Sequence, residues 1–161
     1  MSPPQYWLKL NDRFNQSKVE DPPTPKEIPQ PFYTTSKDLL ARLEELKRLG
    51  NDSYTKKEFG FATSYYSMAM QCYDQLNRFS NKFKSSLTEN EMTSIKKMAS
   101  IIASNLSLSL SKQMRIPDAN IMGQMAVNFD QTNCKAVVRL CDILFQVGRH
   151  AEAIPMLNHA L

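Results

Sequence analysis

The chain has 161 residues, of which 42% are hydrophobic and 22% are charged, so it can form one domain with a modest core but not two large ones. Twenty Lys and Arg against 16 Asp and Glu leave a net charge of +4, a milder excess than nucleic-acid-binding surfaces usually show. Because there are only four glycines, and most of the nine prolines precede residue 32, collagen-like and long low-complexity chains are excluded.

The sequence carries no sign of a membrane span or a secretory signal. No stretch approaches the run of about 18 apolar residues that a membrane helix needs. The first residues, MSPPQYWLKLND, lack the basic and apolar regions of a signal peptide. Cys72, Cys134 and Cys141 form no CxxC pair, so we expect them to be reduced, buried residues of a cytoplasmic protein.

Residues 1–35 differ in composition from the rest of the chain. Aromatic and apolar residues recur there at helical spacing, which is typical of a short amphipathic helix; they are Tyr6, Trp7, Leu10 and Phe14. The segment DPPTPKEIPQP follows, and its prolines favour an extended path. We therefore predict a proline-rich arm or linker, whose aromatic residues either bind a partner or fold back onto the main domain.

From Ser36 onward the pattern is helical and nearly free of proline. The first helix is predicted to begin at Ser36 and to be interrupted at Gly50, with a stripe of leucines at Leu39, Leu40, Leu43, Leu46 and Leu49. No segment shows the sustained alternation of polar and apolar residues that strands show. The sequence predicts an all-α protein.

Pairs of alanines recur along the chain at a fixed spacing. Ala119 and Ala126 reappear as Ala153 and Ala160, so both are displaced by the same step along the chain. Ala62 and Ala69 are separated by the same number of residues as the other two pairs. They precede Ala119 and Ala126 by more residues than separate the second pair from the third, which indicates an inserted segment between them. Small residues at such positions let neighbouring helices approach closely.

A period of about 34 residues with small residues at these places resembles the tetratricopeptide repeat (TPR), a helix–turn–helix unit. The resemblance implies that residues 36–161 form three repeats, at about 43–76, 100–133 and 134–161, stacked in a right-handed solenoid. Ser107 stands at the usual glycine and Gly123 at the usual aromatic residue, which predicts a weaker second helix in repeat two. Pro155 is expected in the first turn of its helix or at a kink.

The inserted segment, roughly 77–99, lies between repeats one and two. It is polar and contains no glycine or proline, so we expect lengthened helices with a break near Ser85–Thr88. Thr88 and Glu91 have the spacing of a capping box, which predicts that a helix restarts there. The long insertion resembles the repeat domains of large immunophilins.

Polar residues on the first helix of each repeat are the candidate functional residues, because these helices line the groove of a repeat solenoid. At helical spacing the chain offers Lys47, Asn51 and Tyr54 in repeat one, Asn105, Leu108 and Lys112 in repeat two, and Lys135 and Arg139 in repeat three. Cations and amides without carboxylates suit an anion with several acceptors, such as a peptide's terminal carboxylate beside an acidic side chain.

This set resembles the carboxylate clamp of chaperone-binding TPR domains, whose five positions are occupied here by Lys47, Asn51, Asn105, Lys135 and Arg139. The resemblance implies binding of the C-terminal Glu-Glu-Val-Asp of the 90-kDa or 70-kDa heat-shock chaperones. Lys47, Asn51, Asn105 and Lys135 would hold the terminal Asp. Arg139 and Lys112 would contact upstream groups, while Tyr54 and Leu108 would shape pockets for side chains.

A plainer interpretation is that these cations form a solvated face and that the asparagines bond neighbouring backbone. Asp142 is also placed to pair with Arg139 and weaken anion binding. The sequence shows no metal, cofactor or nucleotide motif, since His150 and His159 form no HExxH, so we expect no catalysis.

We therefore predict a co-chaperone adaptor that binds neither nucleic acid nor membrane, with an unknown client. Two other classes remain: a TPR scaffold that binds an internal protein segment, and an RNA-binding helical repeat. Because the sequence ends with the second helix of repeat three, where an array usually adds a terminal helix, we expect it to be part of a longer protein.

Overall fold

The computed structural model describes residues 35–78 and 81–160, so the predicted arm at 1–35 and its short helix lie outside the described residues, apart from Thr35. Within the described ranges the chain is helical and contains no strands, which confirms the all-α class. The helices are α1 (Ser36–Thr55), α2 (Phe59–Arg78), α3 (Asn81–Ser86), α4 (Glu89–Lys112), α5 (Ile116–Phe129), α6 (Cys134–Gln146) and α7 (His150–Ala160).

The chain divides into two compact units, Met1–Ile95 and Lys96–Leu161. Among described residues, the first unit holds α1, α2, α3 and the first two turns of α4. The second unit holds the rest of α4 together with α5, α6 and α7. Each unit buries its own set of apolar side chains, including Leu39, Leu43 and Leu46 in the first and Ile102, Leu106 and Leu110 in the second.

Helix α1 begins at Ser36, as predicted, because Thr35 caps its first turn. The Thr35 hydroxyl accepts a hydrogen bond from the backbone N–H of Asp38 at 3.1 Å. The predicted interruption at Gly50 is wrong, since the helix continues to Thr55. Gly50 instead provides space: a Cβ atom there would lie less than 3.0 Å from three atoms of the Tyr66 ring on α2.

Three turns of the same form join the helix pairs α1–α2, α4–α5 and α6–α7. The middle residue of each turn has a positive φ: Lys57 (63°), Met114 (60°) and Gly148 (76°). In each turn the following N–H bonds a carbonyl five residues back, as Arg115 does to Leu110 at 3.0 Å and Arg149 to Leu144 at 2.8 Å. The first and second turns are therefore as far apart in the chain as the first and second alanine pairs, and the second and third turns are as far apart as the second and third alanine pairs.

The break and capping box predicted between repeats one and two are confirmed. Helix α3 ends at Ser86 and α4 begins at Glu89. The N–H of Thr88 donates to Glu91 Oε2 at 2.8 Å, while the N–H of Glu91 donates to the Thr88 hydroxyl at 3.2 Å. The Ser36 hydroxyl also donates to Glu91 Oε1 at 2.5 Å, which links the start of α1 to the start of α4.

In the second unit, side chains of the first helix of each pair bond carbonyls of the second helix. The Ser107 hydroxyl of α4 donates to the Ala119 carbonyl of α5 at 2.6 Å. One period later along the chain, Cys141 of α6 lies 3.5 Å from the Ala153 carbonyl of α7. Burial, reinforced by the charge of nearby Asp142, raises the pKa of the Cys141 thiol, so it stays protonated and able to donate.

A second pair of contacts repeats with the same period. The Ser100 hydroxyl donates to the Ala126 carbonyl at 2.7 Å, and Cys134 Sγ lies 3.7 Å from the Ala160 carbonyl. Cys72 and Cys141 are buried free thiols, as predicted, but the prediction is wrong for Cys134, which is exposed at the start of α6.

The two residues that were predicted to disturb their helices, Gly123 and Pro155, both lie inside continuous helices. Helix α5 is continuous through Gly123, where a Cβ would lie 3.0 Å from Leu140 Cδ1 and 3.3 Å from Ser107 Oγ. Glycine there therefore lets α6 pack closely on α5. Pro155 lies in the second turn of α7, so of its two predicted places, the first turn or a kink, the first turn is wrong.

Candidate functional site

The predicted site residues divide between the two units. The first unit contains Lys47, Asn51 and Tyr54, all on α1. The second unit contains Asn105, Leu108 and Lys112 on α4 and Lys135 and Arg139 on α6.

Lys47 is paired with a carboxylate on its own helix. Its Nζ lies 2.9 Å from Glu44 Oε2, and the side chains are 19% and 55% exposed respectively. The expectation of a cationic face without carboxylates is therefore wrong for α1. Glutamate and lysine three residues apart lie on the same helix surface, so this pair forms within one turn.

The Asn51 amide is oriented by a tyrosine on α2. The Tyr66 hydroxyl donates to Asn51 Oδ1 at 2.7 Å. With its oxygen bonded in this direction, the amide turns its NH2 group, which donates hydrogen bonds, away from Tyr66. Asn51 thus contacts a side chain of the next helix, in addition to any local bonds. Tyr66 was not predicted as a site residue from the sequence, although a tyrosine hydroxyl within the apolar pattern of α2 was the available signal.

Tyr54 lies one turn beyond Asn51 on the same helix. Its ring packs edge-on against the ring of Phe59, with centroids 5.2 Å apart and planes inclined at 62°. The side chain is half-buried. This contact holds the Tyr54 ring in place at the end of α1, and its role as a pocket wall stays a prediction.

Arg139 joins α6 to α4 in the second unit. Its Nη1 donates to Asn105 Oδ1 at 2.8 Å and to the Ser104 hydroxyl at 2.9 Å. As at Asn51, the Asn105 oxygen is engaged by a donor, which directs the NH2 group to the opposite side. Asn133 Nδ2, at the N-terminal cap of α6, also donates to Ser100 Oγ at 2.9 Å. Side-chain hydrogen bonds at two places along the helices therefore hold α4 and α6 side by side.

The remaining predicted residues of the second unit are accessible. Lys112 and Lys135 are exposed, and Leu108 is half-buried. Two of the exposed apolar residues lie beside predicted site residues and were not predicted: Ile101 on α4, one turn before Asn105, and Val138 on α6, next to Arg139. Amphipathic patterning does not identify them, because it assigns apolar residues to the core.

Among the helices that the structure describes, none is both long and apolar enough to cross a membrane. The described residues also contain no group of three or more His, Cys, Asp or Glu side chains arranged to hold a metal ion. A scan against protein-family models finds no match to this chain, and a search of curated proteins finds no significant match.

Proposed function

We propose that this chain is a TPR adaptor of co-chaperone type that binds the C-terminal Glu-Glu-Val-Asp peptide of the 90-kDa or 70-kDa heat-shock chaperone. The peptide carries several carboxylates, and its terminal one is present only at a free C-terminus. The residues proposed to bind it are Lys47, Asn51, Tyr54, Asn105, Leu108, Lys112, Lys135 and Arg139.

The observation that carries this proposal is the pairing of Arg139 with Asn105. The guanidinium has five N–H donors and commits Nη1 to Asn105 and Ser104. The Asn105 oxygen, which would repel an anion, is thereby bonded, and its NH2 group is turned outward from that bond. Lys135 is exposed one turn before Arg139 on α6, so this surface combines donors and positive charge.

The first unit supports the proposal through Asn51, whose oxygen is bonded by Tyr66 in the same way. Lys47 supplies a cation one turn earlier on α1, although its Nζ contacts Glu44. A carboxylate ligand must therefore replace or share that contact. Because Glu44 is more than half exposed, the exchange costs little free energy.

The recurrence of turns and interhelical bonds with the period of the alanine pairs supports the proposed repeat class. Arg115 pairs with Asp118 at 2.8 Å, and Arg149 pairs with Glu152 at 2.6 Å, again one period apart. We propose that these helix pairs are three TPR units of a right-handed solenoid, with the segment between α2 and α4 as the insertion.

The test is calorimetric titration with a peptide ending in Glu-Glu-Val-Asp, alongside its C-terminally amidated copy. We expect binding of the free acid in the micromolar range and a large loss on amidation. Equal binding of both peptides would contradict the clamp and favour a scaffold that binds internal segments. No binding of either peptide by folded protein would contradict the proposal altogether.

Variants test the assigned residues. Lys135→Ala should weaken binding by about 2–5 kcal/mol, because a peptide carboxylate loses its cation. Asn51→Ala should have an effect in the same range. Lys97→Ala removes an exposed lysine of α4 with no assigned role and serves as the control. Equal losses of binding and of the free energy of unfolding would instead identify Lys135 as structural.

A further inference from the structure

We infer that Tyr66 is a positioning residue for the peptide-binding amide of Asn51, and that its hydroxyl holds that amide in the orientation that meets the ligand. The inference rests on the proposed function and deepens it, because Tyr66 itself is not among the residues proposed to contact the peptide.

The Tyr66 ring is fixed by packing. Its side chain is 2% exposed, and it occupies the space that Gly50 leaves by lacking a Cβ. Gly50 immediately precedes Asn51 on α1, so the ring and the hydroxyl of Tyr66 contact adjacent residues of the same helix. A close-packed ring of this kind has little freedom to move its hydroxyl.

The hydrogen bond holds the Asn51 amide with its oxygen toward Tyr66. The hydroxyl lies 2.7 Å from Asn51 Oδ1. The two ends of an asparagine amide have nearly the same shape but opposite hydrogen-bonding roles. With the oxygen held by Tyr66, the NH2 group is the end that can donate to a carboxylate. Rotation of the amide by half a turn would present the oxygen to the anion, which would repel it.

Tyr66→Phe tests the inference, because it removes the hydroxyl and preserves the ring against Gly50. We expect the free-acid peptide to bind about two- to tenfold more weakly, the effect of one hydrogen bond. The preference for the free acid over the amidated peptide should fall as well. Tyr65→Phe removes a hydroxyl from the neighbouring half-buried tyrosine of α2 and should leave both quantities unchanged.

A double-mutant cycle with Asn51→Ala separates positioning from a general effect on structure. If Tyr66 acts through Asn51, Tyr66→Phe should change the dissociation constant by less than about twofold once Asn51 is alanine. Titrations followed by NMR and carried into the millimolar range measure these weakened complexes. In the unliganded protein, Tyr66→Phe should also shift the Asn51 side-chain NH2 resonances, which requires no peptide.

The outcomes distinguish this inference from the proposed function. If the wild-type protein does not bind the free-acid peptide, the proposed function fails, and the inference fails with it. If the wild type binds and Tyr66→Phe binds equally well, only the inference is overturned. An effect of Tyr66→Phe that persists undiminished with Asn51→Ala also overturns it, because the tyrosine would then act independently of the amide.

Discussion

Glu44 competes with any anionic ligand for Lys47. The two side chains lie 2.9 Å apart and are both accessible to solvent, so their ion pair is an exchangeable one. This carboxylate sets part of the affinity of the proposed site, because a bound peptide must displace or share it.

Replacing Glu44 by Gln should therefore strengthen binding of the free-acid peptide by about two- to fivefold, the range that exposed ion pairs contribute. The control is Glu45→Gln, which removes the same charge from the next residue, where it pairs with Arg42 at 2.8 Å. Calorimetric titration of both variants measures the effect. If Glu45→Gln strengthens binding as much as Glu44→Gln does, net charge and not competition is the cause.

Single residues of the site could be predicted in part. The positions of four of them on helices followed from the helical pattern of the sequence: Asn51, Asn105, Lys135 and Arg139. Glu44 lies one helical turn before Lys47, so this pair was also within reach of helical spacing. The Tyr66–Asn51 and Arg139–Asn105 bonds were not, because their partners are 15 and 34 residues apart and meet only through packing.

Among the helical elements, the three turns with positive φ angles predict specific changes in stability. Lys57 and Met114 hold positive φ angles that are unfavourable for side chains with a Cβ, whereas Gly148 has no such penalty. Lys57→Gly and Met114→Gly should each raise the free energy of unfolding by about 0.5–1 kcal/mol, and Gly148→Ala should lower it by about 1 kcal/mol.

Urea unfolding of these variants measures the differences. Lys56→Gly is the matched control for the first turn, because Lys56 has a φ of −77° and gains nothing from glycine. It should be neutral or destabilising. Destabilisation by both Lys57→Gly and Met114→Gly would contradict this prediction. It would show that contacts of the two side chains stabilise the fold by more than the backbone strain destabilises it.

The restart of helix α4 should make stability depend on pH. Hydrogen bonds from the Ser36 hydroxyl, and then from the Thr88 N–H and hydroxyl, hold the pKa of Glu91 below its ordinary value of 4.5. A carboxylate whose pKa is lower in the folded state stabilises that state above the unfolded pKa. The contribution is lost as the pH falls through the folded pKa.

Glu91→Gln removes this titration. The difference in free energy of unfolding between the wild type and this variant should be constant near neutral pH and should shrink as the pH falls below 4.5. Urea unfolding at a series of pH values measures it. A difference that stays constant down to the acid range would show that the pKa of Glu91 is not lowered by folding.

For the molecule as a whole, net charge predicts how binding responds to salt. The chain carries +4 and the proposed ligand is acidic, with exposed cations at Lys112 and Lys135. Raising the salt concentration from about 50 mM to about 500 mM should weaken free-acid binding several-fold, because dissolved ions screen the attraction between exposed charges. The amidated peptide should respond less. Salt-independent titrations would indicate an apolar mode of binding.

The helical class, the start of α1, the restart of α4 and the period shared by the helix pairs all followed from the sequence alone. These features depend on caps, helical spacing and turn residues, which act between neighbours in the chain. Packing between helices was needed to show that Gly50 lies inside a helix against Tyr66 and that Gly123 leaves room for the Leu140 side chain. It was also needed to show that Tyr66 and Arg139 bond the side-chain oxygens of Asn51 and Asn105. Those outcomes depend on which side chains meet across packed helices. The hydrogen-bond partner on the neighbouring helix orients an amide, and the side chain that packs against a glycine determines whether a Cβ would fit there.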